Sequence, residues 1–129
     1  MIENTINDLV AQADNDKGAA EALLAAGYYA HALFWLHLVL EKLCKAVWVK
    51  KNNDIKYPYI HNLLRLLRES GIEITSMQAE FFASMNQFQA MGRYGDDLRK
   101  LEETVQKQSC ENYFDKGNAE IKWLKELMQ

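Results

Sequence analysis

A single proline, Pro58, interrupts a chain of 129 residues, and its six glycines are thinly spread. Proline removes a backbone donor and clashes with the preceding turn, and glycine is the other common helix breaker. Their scarcity leaves long stretches with nothing to end a helix. Apolar residues then recur at three- and four-residue steps, the period of one helical face, and the alternation of a half-buried strand is nowhere found.

The first such stretch runs from Thr5 to Ala26, with Ile6, Leu9, Val10, Ala13, Ala20, Leu23 and Leu24 on one face. Gly18 lies inside it at a cost of about 1 kcal/mol relative to alanine, and Gly27 supplies the break. A second helix is expected from Tyr28 to Lys51, apolar nearly all round: Leu33, Phe34, Trp35, Leu36, Leu38, Val39, Leu40, Leu43, Val47 and Trp48. A helix apolar on every side must be buried on every side. In a small bundle a second subunit is the expected cover, which makes Phe34, Trp35, Leu38 and Trp48 candidate residues of a homodimer interface.

Asn52-Asn53-Asp54 and Pro58 break the pattern before a short helix carrying Ile60, Leu63, Leu64 and Leu67, which Ser70-Gly71 ends. Thr75 and Gln78 have the spacing of a capping box. They open a helix whose buried stripe is expected to be Met77, Phe81, Phe82, Met85 and Phe88, stopping near Gly92. From Gly92 to Ser109 the signals conflict and a loop with a helical piece is expected. A last amphipathic helix, from about Cys110, presents Tyr113, Phe114, Ile121, Leu124, Leu127 and Met128 to the core. The fold class is therefore all-α, an up-down helical bundle of four main helices plus a short additional helix. The length suits one domain, residues 1–129.

The most apolar segment, Tyr28 to Leu40, contains His31 and His37 and runs into Glu41-Lys42, short of the roughly 18 uninterrupted apolar residues of a membrane span. The opening residues have no basic segment followed by an apolar one, so they do not read as a secretory signal, and a cytoplasmic location is expected. Cys44 and Cys110 lie far apart without a C-x-x-C spacing, which indicates two reduced, packed cysteines.

Charge is unevenly placed. Residues 41–68 hold Lys42, Lys45, Lys50, Lys51, Lys56, Arg65 and Arg68 against Glu41 and Asp54, a balance of +5 within a chain of net charge −3. Grouped cations attract phosphates, and cations near a helix C-terminus are also stabilising in themselves. Both readings of the sector stand. Metal chemistry has no support: His31 and His37 are six apart and face different ways on a helix, and no Glu-x-x-His occurs. There is no serine elbow, no cysteine next to a histidine, and no glycine-rich phosphate loop, so no nucleophilic site and no cofactor is indicated.

Three segments in order carry a family resemblance. Gly27-Tyr28-Tyr29-Ala30-His31-Ala32-Leu33-Phe34-Trp35 leads to Glu41-Lys42-Leu43-Cys44-Lys45-Ala46; His61-Asn62-Leu63 follows a proline-containing loop; Gly92-Arg93-Tyr94-Gly95-Asp96 comes last. Together they resemble the HEPN-domain family (higher eukaryotes and prokaryotes nucleotide-binding domain), with its E-K-x-x-K-A helix end, its H-x-L element and its R-Y-P-D turn. Gly95 stands where the family's turn has proline, and His37 where relatives commonly carry glutamine. The family's ribonucleases carry an arginine followed four to six residues later by histidine. Here the last histidine is His61 and the first arginine Arg65, so that pair is absent.

The resemblance implies a dimerising bundle without the ribonuclease pair: a non-catalytic module that binds a nucleotide or other phosphate ligand and partners a separate minimal nucleotidyltransferase. The candidate ligand residues are Lys42, Lys45, His61, Arg65, Arg93 and Tyr94, with Tyr94 stacking on a base or sugar. A structural reading competes, in which Glu41 and Arg93 form an ion pair and His61 caps the short helix. Two other functions remain open: an RNA-cleaving toxin of a toxin-antitoxin pair that uses His61 with Arg65 or Arg93, and a structural homodimeric interaction protein.

Overall fold

The computed structural model describes residues 1–91, 99, 100, 102 and 104–129. Their helices are α1 (Ile2–Ala25), α2 (Tyr29–Asn52), α3 (Leu63–Glu69), α4 (Ser76–Met91) and α5 (Lys107–Leu127), four long and one short. The contacts between them set their directions. Asp16 meets Lys42, and Leu9 clusters with Ala46 and Val49, so α1 and α2 run antiparallel. Gln78 bonds Glu120 and Ser84 bonds Tyr113, so α4 and α5 do the same. Tyr29 lies against Cys110 and Leu36 against Gly117, which makes α2 and α5 parallel. The four long helices thus form an up-down bundle.

Local chemistry accounts for the helix ends. Gly27 takes φ +85°, a conformation open to a residue without a Cβ. The N–H of Tyr28 then bonds the carbonyl of Leu23 (2.9 Å) and that of Gly27 bonds Leu24 (3.1 Å), a Schellman closure of α1. The capping box of α4 is present in both directions: Gln78 N–H donates to Thr75 Oγ1 and Thr75 N–H to Gln78 Oε1, each at 3.0 Å. α5 begins three residues before the expected Cys110, so part of the expected loop belongs to it. The remainder of that loop, from Gly92, lies mostly outside the described residues.

α2 is the central helix and touches each of the other four. Its Leu33, Leu36, Leu40 and Leu43 pack with Leu63, Leu66 and Leu67 of α3, Phe82, Met85 and Phe88 of α4, and Leu124 of α5 in one core. A second cluster at the other end joins Leu9 to Ala46 and Val49, with Trp48 and Tyr57 against it. The all-round apolar surface of α2 is therefore covered largely within one chain. Phe34, Trp35, Leu38 and Trp48 are each half-buried.

Met77 corrects the expected stripe: Phe81, Phe82, Met85 and Phe88 are buried, but Met77 is 78% exposed. It occupies the first turn of α4, at the edge of the inward arc, where its side chain reaches a groove rather than the core.

Two glycines in helix interiors meet opposite surroundings. A Cβ on Gly117 would lie 3.1 Å from Leu36 Cδ2, while one on Gly18 would meet nothing within 4 Å. Gly18→Ala is expected to stabilise the protein by about 1 kcal/mol through helix propensity. Gly117→Val is expected to destabilise it by roughly 1–3 kcal/mol through overpacking. Thermal melts of the two variants should move in opposite directions; an unchanged melt for Gly117→Val would refute the tight α2–α5 crossing.

Candidate functional site

His37, Glu41 and Lys45 follow one another at four-residue steps, so α2 sets them on one face in successive turns. That face looks toward the 53–62 loop and α4, and all three residues are buried. A buried carboxylate needs charged or hydrogen-bonding partners to stay ionised, and Glu41 has them on both oxygens. Oε2 accepts from Lys45 Nζ at 3.1 Å, and Oε1 lies 2.9 Å from His61 Nδ1. Lys45 Nζ also sits 5.6 Å from the centre of the Tyr57 ring, a cation–π contact.

His37 completes the cluster from the inside, with Nδ1 3.9 Å from Glu41 Oε1 and its side chain wholly inaccessible. Burial dominates its titration and lowers its pKa from 6.5 to about 4, although Glu41, the Asn86 side chain and the His61 backbone pull the other way. The ring is therefore neutral at pH 7. His61, by contrast, keeps 41% of its side chain exposed while its Nδ1 is held from below. A carboxylate that fixes one ring nitrogen in this way sets the tautomer and aim of the other.

The helix that follows is anchored by asparagines. Asn62, and not His61, caps α3: its Oδ1 accepts from Arg65 N–H at 3.1 Å. The short side chain of asparagine curls back onto the first turn, a task for which imidazole is ill shaped. Asn86 of α4 clamps the same corner, donating to Asn62 Oδ1 (3.0 Å) and accepting from Leu63 N–H (2.9 Å). Asn62 carried a legible signal, an N-cap residue before an apolar run. Asn86 carried none, because its partners lie more than twenty residues away in sequence.

The other candidate residues fall into three groups. Lys42 is half-buried and paired with Asp16 of α1, so it faces away from the histidines toward another helix. Arg65 is exposed, with Nε 3.3 Å from Glu69 Oε2, and with Arg68, Asn62 and Leu64 it lines a cleft of about 280 Å³. Arg93 and Tyr94 lie outside the described residues, and so does the Glu41–Arg93 pair.

The remaining chemistry-bearing residues do not form a second centre. Cys44 and Cys110 are buried and unbridged, and burial raises both thiols, Cys110 to about 11. Neither offers a thiolate at pH 7. Among the described residues no group of three or more histidines, cysteines or carboxylates stands ready to hold a metal, and no helix is long and apolar enough to cross a membrane.

Compared with known families, residues 6–127 match a model described as HEPN domain. No curated protein and no solved structure matches the chain.

Proposed function

Because this chain belongs to the HEPN-domain family, we propose that it is a non-catalytic module binding a nucleotide or another phosphate ligand on the surface made by His61 and the outer face of α3, as the partner of a separate minimal nucleotidyltransferase. The observation that carries this reading is the 2.9 Å contact between buried Glu41 and half-exposed His61. It holds an imidazole one residue before Asn62, which lines a cleft with two exposed guanidiniums, Arg65 and Arg68, and the Glu69 carboxylate. Guanidinium groups bind phosphate oxygens in pairs.

Lys42 and Lys45 contribute less directly in this reading, since Asp16 and Glu41 already balance them. Arg93 and Tyr94 join the ligand set by their match to the family's Arg-Tyr segment. The module is proposed to act as a homodimer through Phe34, Trp35, Leu38 and Trp48.

One observation also favours a second reading, cleavage of an RNA phosphodiester. An imidazole oriented by a carboxylate is the arrangement of a general base, and Glu41–His61 has it.

Calorimetric titration with ATP at low salt tests the first reading. Binding is expected, and Arg65→Ala/Arg68→Ala, two exposed replacements that leave the core intact, should weaken it about 10- to 100-fold, the size of losing hydrogen bonds to a charged group. Absence of heat with ATP and with the other nucleotides would overturn it. Incubation with tRNA and mRNA tests the second: cleavage that disappears in His61→Ala would replace binding by catalysis.

A further inference from the structure

A second cavity lies away from the histidines, between α4 and α5. It is an open groove of about 900 Å³, with Met77 and Phe81 on one wall and Tyr113 and Trp123 on the other. Two hydrogen-bonded links join its two walls, Gln78 to Glu120 (3.0 Å) and Ser84 to Tyr113. They hold the helices in register, so the groove exists before anything enters it. Its rim is charged in one sense: Glu73, Glu80 and Glu120 against the single Lys116.

We infer that this groove receives the apolar face of a basic amphipathic helix from a different protein. The trough follows α4 from its first turn to Ser84, long enough for about two turns of a third helix packed alongside. Met77 stands at its lip as an adaptable apolar contact. Helix-in-groove recognition uses an apolar stripe at i, i+3, i+4 and i+7, with flanking charge choosing the partner. Here that flanking charge must be positive. The acidic rim also repels phosphate, so the groove is separate from the surface proposed to bind it.

A second copy of this chain is a poor occupant. A two-fold contact would set Glu73, Glu80 and Glu120 against the same carboxylates of the copy, a like-charge cost of the kind that excludes wrong partners. Outside the groove, the exposed large apolar residues are Met1, Tyr28 and Tyr59, scattered singly, and the half-buried Phe34, Trp35, Leu38 and Trp48 of α2 belong to the proposed homodimer face.

The test uses the full chain and two synthetic helical peptides with the same leucine stripe, one flanked by lysines and the other by glutamates. Calorimetry is expected to show binding of the lysine peptide and none of the glutamate peptide. Met77→Lys and Glu80→Lys alter exposed positions, so melting temperatures should hold while affinity for the lysine peptide falls at least ~10-fold, the loss expected at a binding hot spot. ATP heats, where present, should be unchanged in both variants. The inference is overturned if neither peptide binds, if both bind alike, or if Met77→Lys binds as the parent does. It is also overturned if sedimentation shows a dimer that Met77→Lys dissolves, which gives the groove to a second copy.

Discussion

Glu41→Ala is expected to lower the unfolding free energy by about 3–5 kcal/mol, the range found when one member of a buried ion pair is removed. The loss comes from what the carboxylate leaves behind. Lys45 would remain buried beside the Tyr57 ring without its carboxylate, and His61 would lose its contact with Glu41. Urea denaturation at pH 7 measures the effect. The double variant Glu41→Ala/Lys45→Met separates the mechanisms, because it removes the stranded charge together with its partner. It should recover a large part of the loss, since paired apolar replacement of a buried ion pair is often close to neutral. A single-variant loss below about 1 kcal/mol, the usual size for a surface pair, would show that the cluster does not act as a buried unit.

His37 gives the second large effect, and its sign is fixed by burial. Its pKa is about 4 in the folded chain against 6.5 for a free imidazole, so between those values the unfolded chain holds a proton that the folded chain refuses. Stability therefore falls as pH drops through the window from 6.5 to 4, by roughly 3 kcal/mol in all. Below pH 4 both states are protonated and this contribution changes no further. The groups facing the ring are Glu41, His61 and Asn86, and glutamine at position 37 removes the titration while keeping a neutral polar side chain. Urea midpoints of parent and His37→Gln at pH 7, 6, 5 and 4.5 should diverge steadily as the pH falls. Parallel profiles would place the acid sensitivity elsewhere.

Helical periodicity reads burial well where a helix has one inner face. In α1 and α5 the expected stripes have Leu9, Ala13, Ala20, Phe114, Ile121 and Leu124 buried, with Ile6, Val10, Leu23, Leu24, Tyr113, Leu127 and Met128 half-buried at their margins, as an amphipathic helix with one inner face requires. It reads α2 less well. A helix apolar all round must be covered, but pattern alone does not say by what, and here α1, α3, α4 and α5 of the same chain do most of it. Met77 fails for a related reason: the period continues to the helix end, while the neighbours that would bury it do not. In the site, the ordered motifs pointed to Glu41 and His61 separately. Their 2.9 Å contact joins residues twenty apart across a loop, and no local period reports that distance. The same holds for Asn86 of α4, whose role is set by a distant helix start.

The asparagine clamp also says something about the order in which this chain acquires its shape. α3 has seven residues, fewer than the dozen or so an isolated helix needs to persist in water, so it cannot form ahead of its surroundings. α1 and α2 are different: long, adjacent in sequence and closed by the turn at Gly27, they make contacts that need little loop closure. The first N–H of α3 awaits Asn86, which arrives only when α4 docks. His61 sits immediately before that corner, so its final aim is among the last features to appear during folding and among the first to be lost when α4 loosens.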